Sequence, residues 1–296
     1  MRILYLGLPL GAEVLRRAGF APTIACIGHL DAPGRRRARR LLQGAGTLLL
    51  GAPSLEDDEV VRTLASAGCD VILSWFWPKK IPARVLGLAP RGAFGVHPSL
   101  LPRWRGPDPF FWSIRRGDRE TGVTLHRLEP EYDTGRIVEQ RAVAIEDDDD
   151  GWSLAKKLDR PSLALLVSCA QRLARGEVLE GAPQDEGRAT EAPQTVEEDL
   201  ALDFDCAAEE LERWVRAARP EPGARAFLGE ALVTFLEVAV EDGVEVPGGL
   251  EIGEAWIAGG EVRIRCGRGV LRVDRVRDED DDGEEKDGEA LAALLR

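Results

Sequence analysis

The sequence predicts an α/β fold: a doubly wound, mostly parallel sheet, followed by a smaller OB-like β-barrel domain. Three observations predict it. Short apolar runs alternate with helical stretches in the first part of the 296 residues, the pattern of strands joined by crossover helices. Beyond about residue 200 the pattern changes to short alternating runs between Gly-rich turns, as in small barrels. The charge divides at the same place: residues 199–296 hold 25 acidic and 12 basic side chains, whereas residues 1–198 hold 27 of each. At roughly 150 residues per domain, the length also suits two domains.

Taken in order, residues 1–7 form an apolar strand, and Gly11 to Gly19 a short helix with Val14 and Leu15 inward. Thr23 to Gly28 is a second strand. Asp31-Ala32-Pro33-Gly34 then turns the chain into Arg35, Arg36, Arg37, Arg39 and Arg40, read as the start of a solvated helix. Val60, Val61 and Leu64 fall at helical spacing within 56–67. Asp70 to Trp75 and Ala93 to His97 are the next two strands, and His97 stands at a carboxyl end, where open parallel sheets bind ligands.

Thr121 to Leu128 and Ile137 to Ile145 are strands joined by the loop 129–135, and a helix over 152–175 carries Leu154, Leu158, Leu165 and Leu166 on one side. Turn formers across 181–198 mark a connector. The resulting domains are 1–188 and 199–296, with 189–198 as linker. In the second, Ala207 to Ala218 is a helix. Residues 231–240, 253–258, 261–266 and 270–276 are strands, and the acidic stretch 277–289 is a solvated loop.

Composition narrows the function. No run of 18 apolar residues occurs, and the first residues lack an h-region and cleavage site, which makes a cytoplasmic enzyme the expectation. Five scattered cysteines (Cys26, Cys69, Cys169, Cys206, Cys266) form neither a disulfide frame nor a zinc motif. Three histidines (His29, His97, His126) are too few for a metal cluster, so no metal is expected. Nothing in the pattern indicates an oligomer.

The chemistry concentrates in 92–138. One strand ends in His97, locked by Pro98; a stiff loop, Ser99-Leu100-Leu101-Pro102, follows; Asp133 sits in a turn after a later strand. A histidine and a carboxylate delivered by two loops to one sheet edge make an acid/base pair. Each residue alone would be an ordinary strand cap or Asx-turn.

The run His97-Pro98-Ser99-Leu100-Leu101-Pro102-Arg103-Trp104-Arg105-Gly106, with Thr121-Gly122-Val123-Thr124 and Asp133-Thr134-Gly135, resembles the signature of the folate-dependent formyltransferase family, its methionyl-tRNA-acting members above all. The likeness extends to Leu6-Gly7-Leu8-Pro9, to Asp70–Pro82 and to Asp203–Pro222. It implies a Rossmann-like formyltransferase domain in which an amine attacks the formyl group of the co-substrate 10-formyltetrahydrofolate. His97 would stabilise the tetrahedral intermediate and assist proton movement, with Asp133 orienting its ring. The pteridine would lie between Trp77, Lys79 and Ile81 on one side and Leu128, Glu131 and Tyr132 on the other, with Ser99 and Leu100 at its edge. Arg35, Arg36, Arg103 and Arg105 would meet the acceptor. That acceptor is expected to be a charged initiator tRNA, or alternatively a nucleotide-linked amino sugar, for which Phe110-Phe111-Trp112 could line a pocket. The acidic second domain, which repels phosphate, weighs against tRNA.

The match departs at Gly95, where the family has an asparagine whose amide donates to the formyl oxygen. Losing one such donor costs ~3–4 kcal/mol, or about 10²–10³ in rate. Three explanations stand: a substitute donor such as Arg103, Arg105 or a loop N–H; a larger acceptor or a water in the space; or a folate-binding protein with a degraded site.

Overall fold

The computed structural model describes residues 1–28, 34–281 and 283–295, and of Arg35 only the backbone. His29 and the turn residues 31–33 lie outside the described residues. The chain forms two compact units, one comprising 1–109, 120–144 and 156–193, the other 110–119, 145–155 and 194–296.

The first unit is built on a seven-stranded sheet. β1 (Ile3–Gly7) leads into α1 (Pro9–Arg17), β2 (Ile24–Ile27), α2 (Arg35–Gly44) and β3 (Leu48–Gly51). α3 (Asp58–Ala67), β4 (Val71–Trp75), α4 (Ala83–Leu86) and β5 (Ala93–His97) follow, and after α5 (Pro109–Arg115) come β6 (Glu120–Arg127) and β7 (Ile137–Ala144). The strand order is β3-β2-β1-β4-β5-β6-β7; the first five strands are parallel, and the β5–β6 and β6–β7 pairings are antiparallel. β1, β2, β4 and β5 are buried along their whole length, and they read as near-continuous apolar runs, as central parallel strands do.

Local chemistry explains the helix ends. Pro9 opens α1, where its missing N–H costs nothing. Asp57 caps α3 by accepting from the Glu59 N–H at 2.7 Å. In α2, Ala38 and Leu42, four apart, are buried while Arg36, Arg37, Arg39 and Arg40 are exposed. The basic stretch is therefore a whole amphipathic helix. The edge strand β3 escaped the sequence reading because a four-residue apolar run has no period of its own.

α6 (Gly151–Ala174) precedes the second unit's own elements: α7 (Ala208–Ala218), β8 (Ala224–Leu228), β9 (Ala231–Glu241), β10 (Ala255–Ala258), β11 (Glu261–Arg265), β12 (Val270–Asp278), β13 (Glu284–Asp287) and α8 (Gly288–Ala293). The antiparallel sheet runs β10-β11-β12-β9-β8, with β13 added to β12. It is the open, OB-like arrangement expected. α7 buries Leu211, Trp214, Val215 and Ala218. Phe111 is also buried, edge-on to Trp112, so core packing accounts for it.

The solvated loop expected at 277–289 is corrected. β12 continues to Asp278, and 284–287 returns beside it as a strand. Lys286 lies 2.9 Å from both Asp278 and Asp281, and Arg275 pairs with Glu285 at 2.9 Å. Composition alone suggested disorder, but cross-strand ion pairs absorb much of that charge. Among the described residues, no helix is long and apolar enough to cross a membrane, and all five cysteines are free.

Candidate active site

The site lies at the carboxyl end of β5. In its ladder with β6, Gly95 faces His126 and His97 faces Thr124. Side chains two apart on a strand share a face, so Gly95, His97, Thr124 and His126 line one surface. Beside it the β6–β7 register slips by one residue between the pairs Leu125–Glu139 and His126–Ile137. Such bulges re-aim neighbouring side chains.

His97 Nε2 lies 2.8 Å from the Trp104 carbonyl. A carbonyl only accepts, so this nitrogen carries the hydrogen. Nδ1 then faces Asp133 Oδ2 at 3.4 Å. His97 and Asp133, 36 positions apart in sequence, thus meet with both side chains largely buried, 8% and 15% exposed. Asp133 Oδ2 also accepts from the Gly106 N–H at 2.9 Å.

A second histidine completes the cluster. His126 Nδ1 donates to the Arg127 carbonyl at 2.9 Å, and its Nε2 faces Asp133 Oδ1 at 3.6 Å. The two imidazoles stand edge to face, 6.5 Å between centroids. Burial pushes His126 down to about 4, outweighing the opposing pull of Asp133. The ring is neutral at pH 7.

The loop after His97 is clamped from below. Thr124 Oγ1 donates to the Ser99 carbonyl at 2.6 Å, and accepts from the Leu101 N–H at 3.1 Å and from the Gln140 amide at 2.8 Å. Of the four non-glycine residues with positive φ among those described, three surround the site: Phe76, Trp104 and Asp133. Backbone strain of this kind collects where geometry is enforced. At Gly135 the close approach leaves no choice, because a Cβ would lie 1.8 Å from the Arg127 carbonyl oxygen.

The stretch read as a connector takes part in the site. Residues 182–192 run along the first unit, pairing with Ile137 and Arg105. Gln184 Nε2 donates to the carbonyls of Asp133 at 2.6 Å and Gly135 at 2.8 Å. Its Oε1 accepts from Arg105 Nη2 at 2.7 Å and Nε at 3.1 Å, while Glu186 takes Nη1 and Nη2 at 2.9 and 2.8 Å.

These contacts bear on two of the expected site residues. Arg105 is 5% exposed and its fork is spent on Gln184 and Glu186. These internal contacts favour a structural role for Arg105 over contact with an acceptor. Ser99 is fully buried, its hydroxyl donating to the Arg103 carbonyl at 2.6 Å, so its side chain serves the loop. Ile81 is 6% exposed within the core cluster, against which Trp77 and Leu128 pack. Leu100 is partly exposed; Lys79, Arg36 and Arg103 are exposed, with the Arg103 guanidinium 5.5 Å from the centre of the Trp104 ring.

The expected folate walls are tied by a residue not foreseen. Lys80 Nζ reaches Glu131 at 2.6 Å and sits 5.4 Å from the Tyr132 ring centre. Trp77 keeps a buried indole N–H with no partner among the described residues. A buried donor without an acceptor points to a ligand or water.

With this geometry in place, comparison with known proteins is decisive. The family model for formyl transferase matches residues 31–169, and that for the formyl transferase C-terminal domain matches 195–285. The chain belongs to the formyl transferase family. Methionyl-tRNA formyltransferase from Anaeromyxobacter dehalogenans is 32% identical over 290 residues, covering 94% of this chain and 92% of that protein. Two solved structures share the fold. An N-formyltransferase from Helicobacter canadensis, solved with folinic acid and dTDP-3-aminofucose, has a TM-score of 0.69 at 15% identity over 92% of this chain and 98% of its own. HypX from Aquifex aeolicus, solved with tetrahydrofolic acid, has a TM-score of 0.65 at 20% identity; it covers all of this chain, which spans 48% of HypX.

Within this formyl transferase fold, Gly95 has a crowded surface. A Cβ there would lie 2.7 Å from Leu128 Cδ2 and 3.4 Å from His126 Nε2. A longer side chain at 95 needs the Leu128 methyl to move, and it would arrive against His126.

Proposed function

We propose that this chain transfers the formyl group of 10-formyltetrahydrofolate to an amine, with the amino group of methionyl-tRNA as acceptor. The observation that carries the reading is the approach of His97 Nδ1 to Asp133 Oδ2 at 3.4 Å, both side chains largely buried, at the sheet's carboxyl edge. The Trp104 carbonyl fixes the imidazole through Nε2 and turns Nδ1 toward the carboxylate, which suits the pair to proton movement beside the reacting amine. The co-substrate fits the residues present: Trp77 supplies a buried donor with no partner among the described residues, and the Lys80–Glu131 clasp ties the 78–80 segment to the 129–133 loop. The folate supplies an activated formyl group; the chain binds it, keeps water out and places the charges.

The acceptor assignment draws on the relatives that bear the name methionyl-tRNA formyltransferase, and on the four exposed arginines of α2 (Arg36, Arg37, Arg39, Arg40), a basic face suited to a phosphate backbone. Arg35 is assigned with them. Lys79, Leu100, Leu128, Glu131 and Tyr132 remain our folate contacts, beside Trp77.

The test is release of tetrahydrofolate from 10-formyltetrahydrofolate, measured with charged initiator tRNA and with nucleotide-linked amino sugars. Turnover with the tRNA is expected. Turnover with an amino sugar alone would reassign the acceptor, and tight folate binding without any turnover would mark a degraded site. In the active protein, Asp133→Asn is expected to lower kcat by about 10²–10⁴ with the fold intact.

A further inference from the structure

Two imidazoles, not one, converge on the Asp133 carboxylate, and their hydrogens can be assigned. Each ring is tethered through one nitrogen to a main-chain carbonyl, His97 by Nε2 to Trp104 and His126 by Nδ1 to Arg127. Those nitrogens must be donors. The other nitrogen of each ring faces the carboxylate, at 3.4 and 3.6 Å.

The two sides of the carboxylate differ. Oδ2 has the Gly106 N–H at 2.9 Å and the His97 ring beside it. Oδ1 has no protein donor among the described residues; it faces His126 Nε2, which in the neutral ring is a bare lone pair. Two acceptors 3.6 Å apart, with no hydrogen between them, repel each other mildly and attract a group carrying two N–H donors. Gly95 opposite contributes no side chain of its own; a Cβ there would lie 3.4 Å from His126 Nε2 and 2.7 Å from Leu128 Cδ2, the methyl that must shift for a longer group to enter. An asparagine amide lies two bonds beyond its Cβ, so the imidazole already stands close to the space such a group would enter.

We infer that His126 is a catalytic residue of this site: its Nε2 and Asp133 Oδ1 together seat the acceptor's amino group, and Nε2 takes the proton that this group loses. The inference rests on the formyl-transfer reading above. In the step, the amine lone pair forms the new C–N bond to the formyl carbon and the carbonyl pair moves to oxygen. The proton leaves the amine nitrogen for His126 Nε2. As the carbonyl re-forms, the bond from the formyl carbon to folate N10 breaks, and N10 receives that proton from the His126 imidazolium. Nothing is oxidised or reduced. Burial favours the neutral ring, so the imidazolium is a short-lived carrier and a strong enough acid to return the proton to a weakly basic leaving nitrogen.

The experiment has two independent readouts. In ¹⁵N-histidine-labelled protein, with the signal assigned through His126→Gln, addition of methionine methyl ester should shift His126 Nε2 and leave Nδ1 in place. An unmoved Nε2 overturns the assignment whether or not the protein turns over. In kinetics, His126→Gln should lose about 10²-fold in kcat with KM for 10-formyltetrahydrofolate unchanged, and imidazole should partly restore His126→Ala. If wild type turns over and His126→Gln keeps its kcat, His126 is only structural. If wild type turns over with no amine, the formyl-transfer reading fails separately, and the NMR shift still decides whether the seat binds an amine.

Discussion

Gln184 donates its side-chain amide to the main-chain carbonyl of Asp133 at 2.6 Å, so a residue 51 positions downstream holds the turn that aims the carboxylate at His97. The same amide reaches Gly135, and its oxygen receives Arg105. One side chain thereby couples the loop after β5 to the loop after β6.

Replacing Gln184 should consequently act on rate as well as stability. Gln184→Ala strands two partly buried carbonyls and one guanidinium edge, a cost of about 1–3 kcal/mol. It also releases the positive-φ conformation at Asp133. We expect a lower denaturation midpoint together with a kcat loss of about tenfold, since small misplacements of a positioned group are costly. A stability loss with unchanged kcat would show that the turn holds itself.

Arg105 separates structure from acceptor recognition. Its contacts with Gln184 and Glu186 account for the guanidinium, and Glu186, largely exposed, is held below the usual carboxylate range by that hydrogen bond. Arg105→Ala should lower the thermal midpoint by several degrees while leaving KM for the acceptor unchanged. A selective rise in acceptor KM at constant stability would restore the substrate-binding role.

His126 makes stability depend on pH. Its folded value of about 4 lies below the ordinary 6.5 of the unfolded chain, so between these values the unfolded state binds the extra proton. Stability therefore falls as pH drops from about 6.5 to about 4. The difference is on the order of 3 kcal/mol, from about 1.4 kcal/mol per pH unit. Urea unfolding of wild type and His126→Gln across pH 7.5 to 4 checks this: the mutant should lose less stability over that window.

The basic helix makes a prediction about salt. If Arg36, Arg39 and Arg40 meet phosphates, tRNA affinity should fall steeply with ionic strength. Changing all three to Ala should then flatten the slope of log K against log salt by roughly 0.9 per lost phosphate contact, with folate KM untouched. An unchanged slope in the triple variant would remove α2 from the acceptor interface.

Much of the architecture was legible because periodicity reports burial. β1, β4 and β5 are near-continuous apolar runs, and Leu154, Leu158, Leu165 and Leu166 mark the buried side of α6. β8 and β13 were not legible. Glu284–Asp287 has no apolar member, and only its pairing with β12 makes it a strand. His97 and Asp133 were named from their motifs, but His126 was not. Its importance lies in the residue across the ladder, Gly95, and a cross-strand neighbour is invisible until the register is known.

By itself, the sequence determined which segments bury themselves, where the stiff loop after His97 lies, and the family these motifs signify, since all three depend on residues close together in the chain. Tertiary structure alone decided which polar groups share a pocket. It brought a connector residue, Gln184, to the Asp133 turn, spent Arg105 on internal partners, and stood a second imidazole against the carboxylate. The reason is physical: a hydrogen bond acts only over about 3 Å, and folding, not sequence proximity, sets which donors and acceptors come that close.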